Sequence, residues 1–314
     1  MPTGAAGFLA RTPTRPVAAE APPLRARTGI GYDTSWARRY PVRLLRAIAL
    51  DDLTLPAVRA VTRPHVIGLH HLDPIEGPVI FAANHSSHLD TAVLLASLPP
   101  DRRHHTVVAA AADYFFDRHW KAALSAFGLG AIPMERVKLG RRSADGAAEL
   151  IDEGWSLVIF PEGGRSPDGW GQEFKGGAAY LAKRCEVPVV PVHLRGTRAV
   201  LPKSRDRQRV MLRPGTTVVR FGSALSPGGE NARRFSARIE QAVALLADEA
   251  ESDWWSARLR ASSSTPAPFR GPETSPWRRA WALPASADPV PRRREDRTQA
   301  PHEDGRAPTR WGRG

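Results

Sequence analysis

Between residues 66 and 221 the chain alternates short apolar runs with stretches of helical character, and this alternation limits the fold more than any other feature. Val79-Ile80-Phe81-Ala82, Thr106–Ala110, Leu157–Phe160, Val187–Leu194 and Thr216–Phe221 are four to eight residues long and bounded by turn formers. Runs of that length suit strands rather than core helices. Because polar residues do not alternate within them, both faces must be buried, as in a parallel sheet. Val66–Leu69 and Ala131–Met134 read as further short strands. Between the strands lie expected helices at Asp90–Leu98 (stopped by Pro99-Pro100), Tyr114–Phe127 (ended at Gly128), Ala144–Glu153 and Gly176–Cys185. A closing helix over Asn231–Leu246 has Phe235, Ile239, Val243 and Leu246 at helical spacing. The expected class is α/β, a mostly parallel central sheet flanked by helices.

The ends differ in composition. Residues 1–28 and 258–314 are rich in Pro, Arg, Ala or Ser with little apolar periodicity, so they are expected to be disordered tails. Residues 29–62 form an expected N-terminal helical segment, readable as membrane-associating or as an ordinary packing helix, and 63–257 the main domain. Residues 1–50 hold 8 Arg against 2 acids and residues 258–314 hold 12 against 6, leaving only +1 of the net +13 for residues 51–257. A nucleic-acid protein concentrates basic charge on its folded face, so that class is disfavoured. Basic tails suit an anionic membrane surface, although Arg-rich coding bias accounts for them equally well. A single cysteine, Cys185, excludes an internal disulfide framework and suggests a reducing compartment. The sequence shows no span of 18 apolar residues and no signal-peptide core, so the expected location is cytoplasmic, peripheral on the cytoplasmic face of the membrane.

Two strand ends carry chemistry. The run ending at Ala83 delivers Asn84-His85-Ser86-Ser87-His88-Leu89-Asp90, and the run ending at Phe160 delivers Pro161-Glu162-Gly163-Gly164-Arg165-Ser166. Strand ends are where an open α/β sheet keeps its site. His and Asp five apart would not share a face of a regular helix. They meet if His85 lies in the turn and Asp90 in the first helical turn, where a carboxylate can orient an imidazole that takes a proton. The plain alternative is a histidine satisfied at a strand–helix corner. In the second turn the glycines allow close backbone approach, and Arg165 offers a planar fork for phosphate oxygens. Gly130-Ala131-Ile132-Pro133-Met134-Glu135-Arg136 is another strand end finishing in Arg, and Val187-Pro188-Val189-Val190-Pro191-Val192 suggests an irregular wall.

These four segments, in this order over roughly residues 63–226, resemble the four motifs of the glycerolipid (1-acyl-sn-glycerol-3-phosphate) acyltransferase family. His85 and Asp90 match its HX4D motif, Gly130 and Arg136 the second, Phe160 to Arg165 the third, and Val189 to Pro191 the fourth. Phe174-Lys175-Gly176-Gly177 resembles the continuation. One residue departs from the pattern: Gly164 stands where the family usually has Thr, which puts the acceptor's identity in question. The resemblance implies an O-acyltransferase of phospholipid biosynthesis. It would move an acyl group from acyl-CoA or acyl-ACP to the hydroxyl of a lysophospholipid such as 1-acyl-glycerol-3-phosphate, giving phosphatidate. His85 would be the general base and Asp90 its partner. Arg136, Glu162, Gly163, Gly164 and Arg165 would bind the acceptor, with Glu162 orienting an arginine or a glycerol hydroxyl. No metal and no cofactor beyond the acyl donor is implied.

Neither Ser86 nor Ser87 sits in a Gly-x-Ser-x-Gly elbow, so a nucleophilic serine is not expected. The aromatic stretch Tyr114-Phe115-Phe116 to Phe127 reads as a core helix or as an acyl-chain rim, and Trp254-Trp255 as interfacial anchors or part of a last helix. Two readings compete with the enzyme: a lipid-binding relative without catalysis, and a metal-dependent hydrolase using His85, His88 and Asp90.

Overall fold

The computed structural model describes residues 29–136, 139–202, 212–263, 269–275, 278–279 and 282. The expected tail 1–28 lies outside them, as does most of 258–314. The N-terminal part is helical: a 3-10 turn over Ser35–Arg38, helix α1 (Val42–Ile48), a π-type stretch at Ala49–Thr54 and α2 (Leu55–Thr62). Arg63 ends α2 in the left-handed conformation and turns the chain into β1 (Pro64–Ile67). There follow β2 (Ile80–Ala83), α3 (Leu89–Ser97), α4 (Pro100–His104), β3 (Thr106–Ala111), α5 (Ala112–Phe115), α6 (His119–Leu129), β4 (Ala131–Met134), α7 (Arg141–Asp152) and β5 (Ser156–Ile159). The domain closes with α8 (Gly177–Arg184), β6 (Val189–Arg195), α9 (Thr197–Val200), β7 (Thr217–Phe221), α10 (Ala232–Glu251) and α11 (Trp254–Ser262).

The seven strands form one sheet in the order β1-β7-β6-β2-β5-β3-β4, and only the β6–β7 pair is antiparallel. Alternate residues of each strand enter two cores. Ile80, Ala82, Leu157 and Ile159 pack under α7, α8 and α10. Phe81, Ala83, Val158, Val190 and Val192 pack with Val93, Leu94 and Leu95 of α3 on the other face. Phe81 meets Phe221 edge-on at 6.3 Å, and both are fully buried. Each such ring contributes about 1.5–3 kcal/mol by leaving water. This double burial is why the strands read as continuous apolar runs.

β2 and β5 are direct neighbours, with Ile80 opposite Leu157, Phe81 opposite Val158 and Ala82 opposite Ile159. Carried past the strand ends, that register brings His85 out beside Glu162. Pro191 sits within β6, where its carbonyl accepts the Gly222 amide at 2.9 Å. Val189 to Val192 is thus a buried strand rather than an irregular pocket wall.

Two expectations are corrected by packing. The helix expected over Tyr114–Phe127 is broken: Phe116 turns inward to join Ala110, Ala122 and Ala131, and Arg118 is extended before α6 begins. The folded part also reaches past residue 257. α11 runs to Ser262, and Phe269 is buried against Phe174 with ring centroids 5.9 Å apart. Trp254 and Trp255 belong to α11, packed edge to face and exposed.

Candidate active site

The first strand end is fixed before its histidine is reached. Asn84 donates to the Leu194 carbonyl at 2.9 Å and accepts the Leu194 amide at 2.7 Å, tying β2 to β6. His85 Nδ1 then lies 2.8 Å from Asp90 Oδ2. The same oxygen accepts the amides of Ser86 at 2.6 Å and Ser87 at 2.8 Å. Asp90 sits in the first turn of α3, where the helix dipole favours a carboxylate, and its side chain is 0% exposed. A carboxylate only accepts, so Nδ1 carries the proton and Nε2 presents its lone pair. The imidazole stacks on Phe160 at 4.2 Å and keeps its outer edge partly exposed. This arrangement can draw a proton from a hydroxyl and hold the resulting imidazolium.

The turn after β5 grips the backbone of His85 on both sides. Glu162 Oε1 accepts the His85 amide at 2.9 Å, and the Ser166 amide donates to the His85 carbonyl at 2.7 Å. Glu162 is 4% exposed, and its second oxygen accepts Gln172 Nε2 at 3.1 Å. Burial pushes its carboxyl up to about 8. Glu162 therefore supports the histidine turn. Gly163 has φ +72° and packs so tightly against Lys175 and the Arg136 carbonyl that any side chain would collide. A Cβ at Gly164, by contrast, would meet nothing within 4 Å.

Arg136 follows the end of β4, and Arg165 follows the end of β5. The Arg136 guanidinium pairs with Asp113 at 2.9 Å and lies 5.8 Å from the centre of the Tyr114 ring. Lys175 Nζ donates to the Arg136 carbonyl at 2.7 Å. His88 stacks on Tyr114 at 5.7 Å. Its ring is pushed down to about 4, by desolvation first and then by the positive charge of Arg165. The hydroxyl of Ser86 bonds Thr197 at 3.1 Å and that of Ser87 the Leu201 carbonyl at 2.8 Å, so both are structural.

His85, Asp90, Arg136, Glu162, Gly163, Gly164 and Arg165 are thus gathered at one end of the sheet. Asn84, Asp113, Gln172 and Thr197 support them without having been singled out from the sequence. Asn84 and Ser166 at least sit inside the quoted segments; nothing local marks Asp113 or Gln172. Among the described residues no three His, Cys, Asp or Glu side chains converge as metal ligands.

The family model described as Acyltransferase matches residues 63–195, the part of the α/β domain that carries the His–Asp pair at one strand end and the glycine–arginine turn at the next. Residues 63–195 thus carry an acyltransferase domain, and the chain is similar to glycerolipid acyltransferases. A 1-acyl-sn-glycerol-3-phosphate acyltransferase of Chlamydomonas reinhardtii is 33% identical over 183 residues, covering 57% of this chain and 51% of that protein. The alpha form from Mus musculus is 28% identical over 193 residues, covering 60% of this chain and 62% of its own length. The match therefore spans about half the length of these curated relatives. The crystal structure of the 1-acyl-sn-glycerophosphate (LPA) acyltransferase PlsC from Thermotoga maritima shares the fold, with a TM-score of 0.53 and 23% identity over 71% of this chain and 84% of that one.

Proposed function

We propose that the protein is an O-acyltransferase that moves a fatty acyl group from an acyl thioester, acyl-CoA or acyl-ACP, to the free hydroxyl of 1-acyl-glycerol-3-phosphate, giving phosphatidate. His85 Nε2 accepts the hydroxyl proton as the oxygen attacks the thioester carbonyl. The tetrahedral adduct collapses with loss of the thiolate, which takes the proton back from the imidazolium. Asp90 keeps Nε2 facing the substrate and balances the charge on the ring. A positioned base supplies about 10²–10⁴ in rate, and alignment of the two substrates supplies most of the rest. Arg136 and Arg165 hold the acceptor phosphate, and neither a metal nor a prosthetic group takes part.

The proposed location is the cytoplasmic face of a membrane. Supporting it, α1 and the π-type stretch expose Leu44, Leu45, Ile48 and Leu53, and α6, which touches α1, exposes Trp120 and Leu124. Among the described residues no helix is long and apolar enough to cross a membrane.

The observation that carries the reading is the 2.8 Å contact between His85 and a fully buried Asp90, at a turn whose backbone is gripped by the arginine-bearing loop. The test offers labelled acyl-CoA and acyl-ACP with several lysolipids to the full-length protein and to His85→Ala. Phosphatidate should form with the wild type, and the variant should lose transfer while melting normally. A well-folded variant with wild-type turnover would overturn the reading.

A further inference from the structure

The loop between β5 and α8 carries Glu162 and Arg165, and its sequence should make it mobile: glycines stand at 163, 164, 169, 171 and 176. Each costs more conformational entropy to order than other residues do. Near β2 the loop is held by His85. Its far side is held by a segment about 100 residues later in the chain. The Gly171 amide donates to the Phe269 carbonyl at 2.9 Å, and Trp170 Nε1 donates to the Arg279 carbonyl at 2.9 Å. Arg279 Nε meets Asp168 Oδ2 at 2.8 Å. Arg270 pairs with Glu240 Oε1 at 2.6 Å, while Glu240 Oε2 accepts the Phe174 amide at 3.0 Å.

Two glycines make the fit possible, one on each partner. A side chain at Gly171 would strike the Phe269 ring, and one at Gly271 would strike the Trp170 ring. Arg279 also closes the later segment on itself, donating to the carbonyls of Pro272 and Arg270, each at 2.8 Å. From Arg279 a line of direct contacts runs back to the histidine. Asp168 Oδ1 accepts the Trp170 amide at 3.1 Å and the Ser166 hydroxyl at 3.4 Å. The Ser166 amide donates to the His85 carbonyl.

We propose that residues 269–275 with Arg279 are a positioning strap that holds the β5–α8 loop in its acceptor-binding conformation. The inference rests on the acyltransferase reading given above. With the strap in place the loop is ordered before the acceptor arrives. Without it, each binding event must supply the ordering, and the cost falls on the step that uses Arg165 rather than on the thioester.

The test uses the full-length chain with Asp168→Asn, Arg279→Ala and Arg279→Lys. Asp168→Asn keeps an acceptor for Trp170 and Ser166 but loses the ion pair. Amide hydrogen exchange should speed up in peptides spanning 163–175. KM for the lysolipid should rise about tenfold, the scale of one or two side chains that must be immobilised on binding. KM for the thioester and kcat at saturating acceptor should stay within about twofold, since neither depends on that ordering. Arg279→Lys, which keeps the charge, should recover part of the acceptor KM. Unchanged exchange in the loop overturns the strap. So does faster exchange with an unaltered acceptor KM, or an equal loss in both KM values that tracks the melting temperature. If the wild type transfers no acyl group, the activity reading fails by itself, and exchange in the loop alone decides whether the strap exists.

Discussion

Replacing Asp90 by Asn is the sharpest probe of the site, because the structure fixes how the new side chain must sit. The oxygen facing His85 also accepts the amides of Ser86 and Ser87. Each of those buried donors would cost about 1–3 kcal/mol if left without an acceptor. The amide of Asn is therefore oriented with its oxygen toward all three donors, and the imidazole keeps its tautomer. What disappears is charge. Two unit charges about 4 Å apart attract by about 4 kcal/mol at an effective dielectric constant of about 20. Asp90 is wholly buried and 2.8 Å from Nδ1, so this is the appropriate scale for the imidazolium formed during transfer. The expected result is a fall in kcat of about 10³-fold, at about 1.4 kcal/mol per factor of ten, with both KM values nearly unchanged. The new NH2 replaces an oxygen that has no partner, so the melting temperature should drop by a few degrees, about 2–4 °C per kcal/mol for a domain of this size. Initial rates with both substrates varied, alongside a thermal melt, provide the readout. Because the two residues act as a unit, His85→Ala combined with Asp90→Asn should be no slower than His85→Ala alone. A folded Asp90→Asn protein within tenfold of wild-type kcat, or a double variant far slower than the single, would refute the reasoning.

Burial raises Glu162 from an ordinary 4.5 to about 8, so the folded protein holds this proton where the unfolded chain releases it. Stability from this group is complete below pH 4.5 and is lost as pH rises toward 8, by up to about 5 kcal/mol across the window. Glu162→Gln should flatten the decline of the urea midpoint between pH 5 and 8.5; an unchanged slope in the variant counts against the assignment. Leu53 is 73% exposed and Ile48 51%, and burying such side chains in an interface yields on the order of 1–2 kcal/mol each. Ile48→Ser with Leu53→Ser should therefore weaken co-sedimentation with anionic vesicles at least tenfold while leaving the melt unaltered, and equal binding would remove this face from the membrane proposal.

The strands were readable because a sheet covered on both faces needs unbroken apolar runs. Leu157–Phe160 lies within one residue of the observed Ser156–Ile159 at each end. The break before α6 was not readable, because an aromatic stretch looks equally helical whether Phe116 continues the helix or drops into the core. Arg46 shows the same limit. It counts among the eight arginines of residues 1–50, yet it is buried beneath Gly130, and desolvation pushes its guanidinium down to about 10. The His85–Asp90 contact was legible because a strand–helix junction brings residues five apart together. The role of Glu162 was not. It depends on β5 lying next to β2, and linear order does not specify which strands become neighbours. For the same reason a Pro- and Ser-rich tail hid Phe269 and Arg279, whose partners are about 100 residues away.

Taken together, the contacts at His85 explain why a buried acid is retained despite its cost. The ring is held at Nδ1 by Asp90 and across its face by Phe160, while Glu162 holds the backbone amide and Ser166 the carbonyl. Three of these four partners are outside the helix that carries Asp90, so the base is located by the sheet rather than by a flexible turn. A neutral Glu162 can still accept the His85 amide, and its proton costs nothing at that contact. Ionising it adds a second negative charge near Asp90, which opposes the change further. With Glu162 neutral, the carboxylate beside the ring is that of Asp90, whose oxygen faces the imidazole. Every other group on the histidine is asked only to keep it still, which is what a base must be if proton removal and attack are to occur in one geometry.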